Sequence, residues 1–418
     1  MSFLGTGAPR SSGDEGSGTP SGSARLIELD SLDCCSPTAV GAADTASRQY
    51  MTLLAAGGES THRGGSGRAT KVFNAYGEAF CLKSLLGASG GNADRQRSEA
   101  IFKGRAQAFR EEYLAQRTVS GIEGWPATQG FGTYAGGPVI LMDWVEGRTL
   151  RSVAPYLPRT TRYGMGVAAE WVASVGVRVL QILVAAQDRT SGFSHRDISP
   201  RNIMVRLDRY PLRDQLANGI LDLVLIDLGS AASIDARQMD PNAAPDFTQQ
   251  TNIWRNGTIE YAPPEMLTRD APGVQVLRHS PKIDVYALCS VLYELYSGHT
   301  PYQLMEHADL SPYRVKCDYA PINVPPRESG DKGLLDCLLA GLAAAQGARP
   351  SISDLKETLW HWLSDRAPAM AQSLAERPPR VMYAPPAHDL RLVPTPHDAG
   401  GLRGTDSRLP ETIERRMR

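Results

Sequence analysis

Two short polar segments carry the residue types that phosphate and metal chemistry needs. One is His195-Arg196-Asp197-Ile198-Ser199-Pro200-Arg201-Asn202, and the other is Leu225-Ile226-Asp227-Leu228-Gly229. A carboxylate can orient an attacking hydroxyl, and carboxylate and amide oxygens are ligands that Mg²⁺ prefers. Each segment borders an apolar run of strand type, at residues 203–205 and 223–226, so both should lie at strand ends that converge on a cleft. This order and spacing predicts phosphoryl transfer, with Asp197 orienting the acceptor.

Candidate phosphate-binding residues precede these segments. Gly65 and Gly67 lie in a glycine-rich loop between strand-like runs, where backbone amides can approach phosphate oxygens. Further glycines nearby leave the register open, and a flexible loop without phosphate contact is the alternative. Val72 fits a nucleobase contact or an ordinary core position. Lys83 ends the alternating strand 79–83 and could neutralise phosphate charge.

In order and spacing these segments resemble the motifs of the protein kinase family, over residues 48–365. The resemblance implies ATP and Mg²⁺ as cofactors and a protein as substrate. It makes Lys83 the phosphate-anchoring lysine and Asp197 the group that orients the acceptor hydroxyl. Asn202 and Asp227 become the metal ligands.

The same resemblance implies a glutamate partner for Lys83 in the helical segment 106–117. Glu112 and Glu111 are both candidates, and the spacing to the following Gly-Trp-Pro sequence favours Glu112.

The apolar strand that ends in a polar turn at residues 139–147 resembles the kinase hinge. In that comparison Met142 is the gatekeeper, and backbone groups from Asp143 to Val145 contact adenine. Taken alone, the segment is a core strand followed by a turn.

A long polar segment follows Asp227 and ends at residues 257–265, like a kinase activation segment. Arg196 could bind a phosphate placed on this segment, with Thr248 or Thr251 as the hypothetical sites.

Two structural roles also follow from the resemblance. Asp284 opens a predicted helix at 285–296 and should brace the backbone of the catalytic segment, unless it only caps its own helix. Arg349 should pair with Glu265 at the end of the activation segment.

The acceptor class is less defined. Ser199 stands where kinases acting on serine or threonine usually have lysine, and Arg201 is more typical of some tyrosine-directed kinases. We expect a protein kinase acting on Ser or Thr. A pseudokinase scaffold that binds nucleotide without transfer and a small-molecule phosphotransferase are the alternatives.

The expected fold class is α+β, with two lobes and a cleft between them. A small strand-rich lobe should span residues 48–145 and a larger helical lobe 146–365. Residues 1–47 are rich in Gly, Ser and Pro, and residues 366–418 are rich in Pro and Arg, so both are predicted to be disordered tails.

Composition narrows the partners and the location. A formal net charge of -1 provides no basic field for strong nucleic-acid binding. The six cysteines lack paired metal-ligand spacing, which favours reduced thiols. With no secretory signal and no uninterrupted apolar stretch of spanning length, we expect a cytoplasmic protein without membrane contact. The sequence leaves the oligomeric state open.

Overall fold

The computed structural model describes residues 25–34, 50–55, 61–63, 67–85, 95–159, 166–190, 192–229, 259–268 and 274–383. Within these ranges a curled antiparallel sheet is followed by a mainly helical part. The predicted α+β class with two lobes is confirmed.

The smaller lobe is built on one sheet and one long helix. Its strands are β1 (Arg25–Glu28), β2 (Ser31–Cys34), β3 (Thr52–Ala55), β4 (Thr61–Arg63), β5 (Arg68–Phe73), β6 (Ala79–Ser84), β7 (Thr128–Tyr134) and β8 (Gly137–Asp143). Their order is β1-β3-β5-β6-β8-β7-β2, with β4 paired to β5, and the helix α1 (Arg95–Val119) contacts β7 and β8. Alternate side chains such as Leu53, Val72 and Leu82 form its core, as the period of two in a strand requires.

Residues 25–34 join the two edges of this sheet. β1 pairs with β3 at one edge and β2 pairs with β7 at the other, although only two residues separate β1 from β2. The Leu29 amide donates to the Met51 carbonyl and the Asp30 amide to the Thr133 carbonyl, each at 2.8 Å. The predicted disordered tail is therefore wrong for residues 25–34, because apolar side chains alternating along them are buried in the sheet core. The other residues of that tail lie outside the described ranges.

The larger lobe contains a small sheet and most of the helices. The sheet order is β11-β10-β9, from β9 (Gly147–Thr149), β10 (Ile203–Arg206) and β11 (Leu223–Leu225). The helices are α2 (Leu150–Val153), α3 (Ala169–Arg189), α4 (Leu212–Ala217), α5 (Pro264–Leu267), α6 (Val274–Leu277), α7 (Lys282–Ser297), α8 (Pro312–Asp318), α9 (Lys332–Gly341), α10 (Ile352–Arg366) and α11 (Pro368–Glu376). One-turn 3₁₀ helices lie at Ala154–Tyr156, Leu304–His307, Ser329–Asp331 and Gln346–Ala348.

Helix α3 is the centre of this lobe. By length and composition alone it could cross a membrane, but 78% of its most apolar stretch is buried inside the fold. It packs against α7 and α10, and residues such as Val172, Val179 and Leu183 are at most 1% exposed. Continuous apolar sequence here is explained by burial on several sides of a core helix.

The second predicted tail also has folded structure. α11 begins at Pro368, a position where proline is compatible with a helix because the first-turn amides have no intrahelical partner. Ala371 and Leu374 of this helix are buried against α3. The prediction of disorder from residue 366 is therefore wrong up to residue 383, and residues from 384 onward lie outside the described ranges.

Residues 377–383, which we call the C-terminal strap, lie against the turn that follows α1. Val381 forms a β-bridge with Ile122, and the Met382 amide donates to the Gly121 carbonyl at 2.7 Å. Arg189 of α3 donates to the Tyr383 carbonyl at 3.0 Å. The strap thus connects the helical lobe to the end of the helix that carries Glu112.

Candidate active site

The lysine and carboxylates singled out in the sequence meet at the junction of the two lobes. Lys83 on β6 donates to the Glu112 carboxylate of α1 and, at 2.9 Å, to Asp227 Oδ1 just after β11. Lys83 is 8% exposed and Glu112 is 4% exposed. Glu111, the other candidate, accepts a hydrogen bond from Gln107 along α1 instead. The structure thus pairs the lysine with Glu112.

Electrostatic attraction to the neighbouring carboxylates and lysine sets the pKa values of Lys83 and Asp227. Burial alone would lower the pKa of Lys83, but the negative charges of Asp227 and Glu112 outweigh that effect and raise it. The positive charge of Lys83 in turn lowers the pKa of Asp227 below its ordinary value. At neutral pH the lysine is protonated and Asp227 is ionised.

Asp227 sits in a strained turn that aims its carboxylate at the lysine. Its φ of 66° lies in the left-handed region, which non-glycine residues seldom adopt. Leu228 next to it is 1% exposed and packs in the core of the larger lobe, which anchors the turn. The surrounding fold therefore imposes this backbone conformation.

Asn202 links the two polar segments. Its Nδ2 donates to both the backbone carbonyl and the Oδ2 of Asp197, each at 2.9 Å. Its backbone carbonyl accepts from the Ile226 amide at 3.0 Å. This bond fixes residues 195–202, which we call the catalytic turn after the kinase motif that they resemble, next to the segment that carries Asp227. With the amide nitrogen directed at Asp197, the side-chain oxygen of Asn202 faces another direction as an acceptor.

Asp284 braces the catalytic turn, as predicted. Its two carboxylate oxygens accept from the backbone amides of His195 at 2.7 Å and Arg196 at 2.8 Å. Arg196 has a φ of 64°, so this brace holds a strained residue next to Asp197. Burial lowers the pKa of His195, whose Nδ1 accepts from the Asp197 amide at 3.3 Å. A neutral ring can therefore donate from Nε2 to the Ile226 carbonyl, 3.1 Å away.

The Arg196 guanidinium contacts another segment of its own lobe. One of its terminal nitrogens donates to His279 Nδ1 at 2.8 Å, between α6 and α7. The predicted phosphorylation sites Thr248 and Thr251 lie outside the described residues, so phosphate binding by Arg196 stays a prediction. His279 had no sequence signal that would have linked it to this arginine.

The hinge residues border the same cleft. Met142 is 9% exposed and clusters with Phe109 and Tyr113 of α1. The Asp143 amide donates to the Ala127 carbonyl at 2.8 Å, so the fold already engages this donor. The Trp144 amide likewise donates to the Ala79 carbonyl, at 3.4 Å, and Val145 is 9% exposed. Adenine contact by backbone groups from Asp143 to Val145 stays a prediction.

The glycine-rich loop is only partly described. Gly65 lies outside the described residues, whereas Gly67 directly precedes β5. A Cβ atom at Gly67 would lie 2.6 Å from the Ser84 carbonyl of β6. Close approach of two strands is thus a sufficient reason for glycine at 67. Val72 is fully buried in the sheet core.

A contact across the mouth of the cleft was not anticipated. Lys71 on β5 pairs with Glu146 after β8 at 2.5 Å, and Trp144 Nε1 donates to the same carboxylate at 3.0 Å. The Lys71 ammonium also lies 5.2 Å from the centre of the Trp144 ring. Each residue alone resembles an ordinary surface position, and only the fold brings them together.

The predicted pair at the end of the activation segment is confirmed. Arg349 donates to both carboxylate oxygens of Glu265, at 2.6 and 2.9 Å, and Gln346 donates to the same group at 2.7 Å. Arg349 is 2% exposed and Glu265 is 5% exposed.

The donor set suits a hard cation held together with phosphates. Asn202 and Asp227 offer oxygen ligands, as Mg²⁺ prefers. In the part of the chain that the structure describes, no group of three or more His, Cys, Asp or Glu side chains is arranged to hold a metal. Mg²⁺ commonly binds through one or two carboxylates together with substrate phosphates, and Asn202 and Asp227 fit that kind of site.

One family of known proteins matches the part of the chain that contains several of these residues. The family model described as "Protein kinase domain" matches residues 139–361, which is more than half of the chain and includes Asp197, Asn202 and Asp227. Lys83 and Glu112 precede the matched region.

Individual relatives match over shorter stretches. The chain is 33% identical over 163 residues to serine/threonine-protein kinase PkaB of Streptomyces coelicolor, covering 39% of this chain and 32% of that protein. It is 32% identical over 164 residues to serine/threonine-protein kinase PknA of Mycobacterium tuberculosis, covering 39% and 29%. It is 26% identical over 167 residues to serine/threonine-protein kinase ENV7 of Saccharomyces cerevisiae, covering 40% and 41%. The matched part spans between 29% and 41% of the length of these relatives.

Proposed function

This chain belongs to the protein kinase family, and on that premise we propose that it transfers the γ-phosphate of ATP to serine or threonine hydroxyl groups of proteins. One observation carries the proposal: Lys83 is held between Glu112 and Asp227, beside the Asn202–Asp197 pair. This arrangement combines a phosphate-binding cation, metal-binding oxygens and a hydroxyl-orienting carboxylate in one cleft. Phosphoryl transfer depends mainly on such positioning and charge stabilisation.

Each side chain has a distinct part in the proposed reaction. Lys83, fixed by Glu112, binds the α- and β-phosphates of ATP. Asn202 and Asp227 would hold Mg²⁺, and the bound ion would supply positive charge next to the phosphates. Asp197 accepts a hydrogen bond from the acceptor hydroxyl and directs its oxygen toward the γ-phosphate. The hydrogen bonds from Asn202 keep the Asp197 carboxylate in that orientation.

The names of the relatives favour serine or threonine as the acceptor. PkaB, PknA and ENV7 are each described as serine/threonine-protein kinases. Ser199 is 1% exposed, and its short side chain stands at the position where such kinases usually have lysine. Arg201 is exposed on the same turn. Acceptor choice is therefore tested directly with paired peptides.

The test is transfer from labelled ATP with Mg²⁺ to otherwise identical peptides that carry Ser, Thr or Tyr. Glu112→Gln removes the charge of one of the two carboxylate partners of Lys83, whereas Glu111→Gln changes the neighbouring glutamate and is the matched control. We expect the first variant, Lys83→Ala and Asp197→Asn to lose about 10²-fold or more in rate. The control should stay within about twofold of wild type, because a helix-surface pair contributes little.

Other outcomes would contradict the proposal. Nucleotide binding without transfer would indicate a pseudokinase scaffold, and transfer only to metabolites would indicate a small-molecule phosphotransferase. Transfer only to the Tyr peptide would refute the acceptor class. Equal effects of the Glu112 and Glu111 substitutions would refute the role given to the lysine pair.

A further inference from the structure

The side chain of Lys316 on α8 is fully buried and binds backbone carbonyls. It is 0% exposed, although lysine is rarely buried completely. Its Nζ donates to the carbonyl oxygens of Ile259 at 2.7 Å, Glu260 at 2.8 Å and Ala262 at 2.6 Å. An ammonium group has three N–H donors, so these three acceptors match its capacity. The lysine therefore fixes the backbone of residues 259–262, a turn outside the helices and strands.

Side chains of this turn are occupied elsewhere. The Glu260 carboxylate accepts from Thr300 Oγ1 at 3.0 Å and from the Leu304 amide at 3.1 Å. The Tyr261 hydroxyl donates to Glu294 of α7 at 2.7 Å. The buried lysine thus holds the path of the main chain itself, which these side-chain contacts do not fix.

The turn leads directly into a segment that is joined to the catalytic turn. Arg278 donates to the Glu265 carbonyl at 2.9 Å and to the Thr268 carbonyl. The next residue, His279, accepts the hydrogen bond from Arg196, which immediately precedes Asp197. Residues 259–268 are therefore coupled through two neighbouring side chains to the turn that orients the acceptor hydroxyl.

We infer that Lys316 is a positioning residue for the protein acceptor, because it fixes residues 259–262, which lead into the segment coupled to the turn that carries Asp197. This inference rests on the proposed transfer to proteins. Its described contacts are with this turn and with the rings of Tyr286 and Tyr302, at 5.4 and 5.9 Å from the ring centres. These contacts do not involve Lys83, Glu112 or Asp227. Loss of Lys316 should therefore weaken peptide binding while ATP binding persists.

The protonation state of Lys316 provides a second way to test the same role. Burial lowers the pKa of Lys316 to about 7. The titratable and charged groups around it are Glu260 and Tyr302 from loops, Glu265 from α5, Tyr286 from α7 and Arg349 from the loop before α10. Glu260 and Glu265 raise this pKa, and Arg349 lowers it further. A neutral amine keeps only two N–H donors for three carbonyls, so the turn should loosen as the pH rises above 7.

The experiment compares the wild-type protein with Lys316→Met, Lys316→Arg and the exposed control Lys332→Met. Hydrogen exchange over residues 259–268 reports the order of the turn whether or not the protein is active. Steady-state kinetics give separate KM values for ATP and for a Ser peptide without titratable groups near neutrality. Wild type and Lys316→Arg are also measured between pH 6 and 8.5, because a guanidinium stays charged throughout.

We expect Lys316→Met to exchange faster over this segment and to raise the peptide KM about tenfold, the effect of losing a hydrogen bond from a charged donor. The ATP KM should stay within about twofold, and Lys332→Met should match wild type. The wild-type peptide KM should rise with pH, and that of Lys316→Arg should not.

Unchanged exchange in a folded Lys316→Met protein, or equal increases in both KM values, would overturn the inference. If that variant does not fold, a wild-type peptide KM that is constant from pH 6 to 8.5 overturns it instead. A wild-type protein that transfers no phosphate would refute the proposed function, while hydrogen exchange would still decide the role of the lysine.

Discussion

Replacing Arg349 by Met should destabilise the larger lobe strongly, because it leaves a carboxylate buried without its cation. The guanidinium donates two hydrogen bonds to Glu265 and further bonds to the carbonyls of Ala343 and Ala344, at 2.7 and 3.1 Å. After the substitution the Glu265 carboxylate would keep the bond from Gln346. Removing one partner of a buried pair costs about 3–5 kcal/mol, much of it from the uncompensated charge.

An exposed ion pair provides the matched comparison. Lys332 and Asp336 on α9 lie 2.5 Å apart, but their side chains are 72% and 59% exposed. Since solvent screens such a pair, Lys332→Met should cost about 0–1 kcal/mol. Lys332→Met and Arg349→Met each remove the cation of one ion pair, and the two ion pairs differ in how deeply they are buried.

Urea unfolding followed by tryptophan fluorescence measures both free energies, because Trp360 and Trp362 of α10 report on this lobe. Combining Arg349→Met with Glu265→Leu removes both charges and should recover part of the loss, since an apolar replacement of a buried pair is often tolerated. A cost for Arg349→Met below about 1 kcal/mol, similar to the exposed control, would refute the reasoning from burial.

Three further predictions follow from single contacts. Asp284→Asn removes one of the two oxygen acceptors for the backbone amides of His195 and Arg196. It should lower the free energy of unfolding by about 1.5–3 kcal/mol and also reduce kcat. Asp336→Asn on the surface should do neither. Gly121→Ala should increase hydrogen exchange in the C-terminal strap, because the φ of Gly121 is 81° and the new Cβ would lie 2.2 Å from the Tyr383 carbonyl. Gly77→Ala, at a φ of 79° with open space around it, should leave the strap protected. Lys83 lowers the pKa of Asp227 below 3.8, so ionised Asp227 should stabilise the protein above that pH. This stabilisation should be lost as the pH falls through the folded-state pKa of Asp227. Asp227→Asn should therefore remove that part of the acid-unfolding curve.

Features set by local spacing could be predicted from the sequence. Asp197 and Asn202 are five residues apart on one turn, so their contact depends on little else. The pairing of Arg349 with Glu265 was inferred from resemblance, since nothing in the local sequence joins two residues so far apart. The choice between Glu111 and Glu112 could not be made from helical periodicity alone, because it depends on which face of α1 meets the sheet.

Features set by tertiary packing escaped prediction. Residues 25–34 carry alternating apolar side chains, but the Gly- and Ser-rich sequence around them obscured this pattern. The prolines after residue 366 indicated a flexible tail, although one of them starts α11. Lys316 lies in a short helix whose sequence resembles a surface helix, and its three acceptors come from a distant turn. No local signal distinguishes such a lysine from a solvated one.

The segment that joins both edges of the sheet affects how the protein could be shortened. A protein beginning at residue 35 would lose the partner strands of β3 and β7 together. Both freed edges would offer unpaired amides and carbonyls to strands of neighbouring molecules, which is a route to aggregation. A fragment cut to residues 139–361, which the family model matches, would lack this protection and Lys83 as well. A fragment for recombinant work should therefore include residues 25–383.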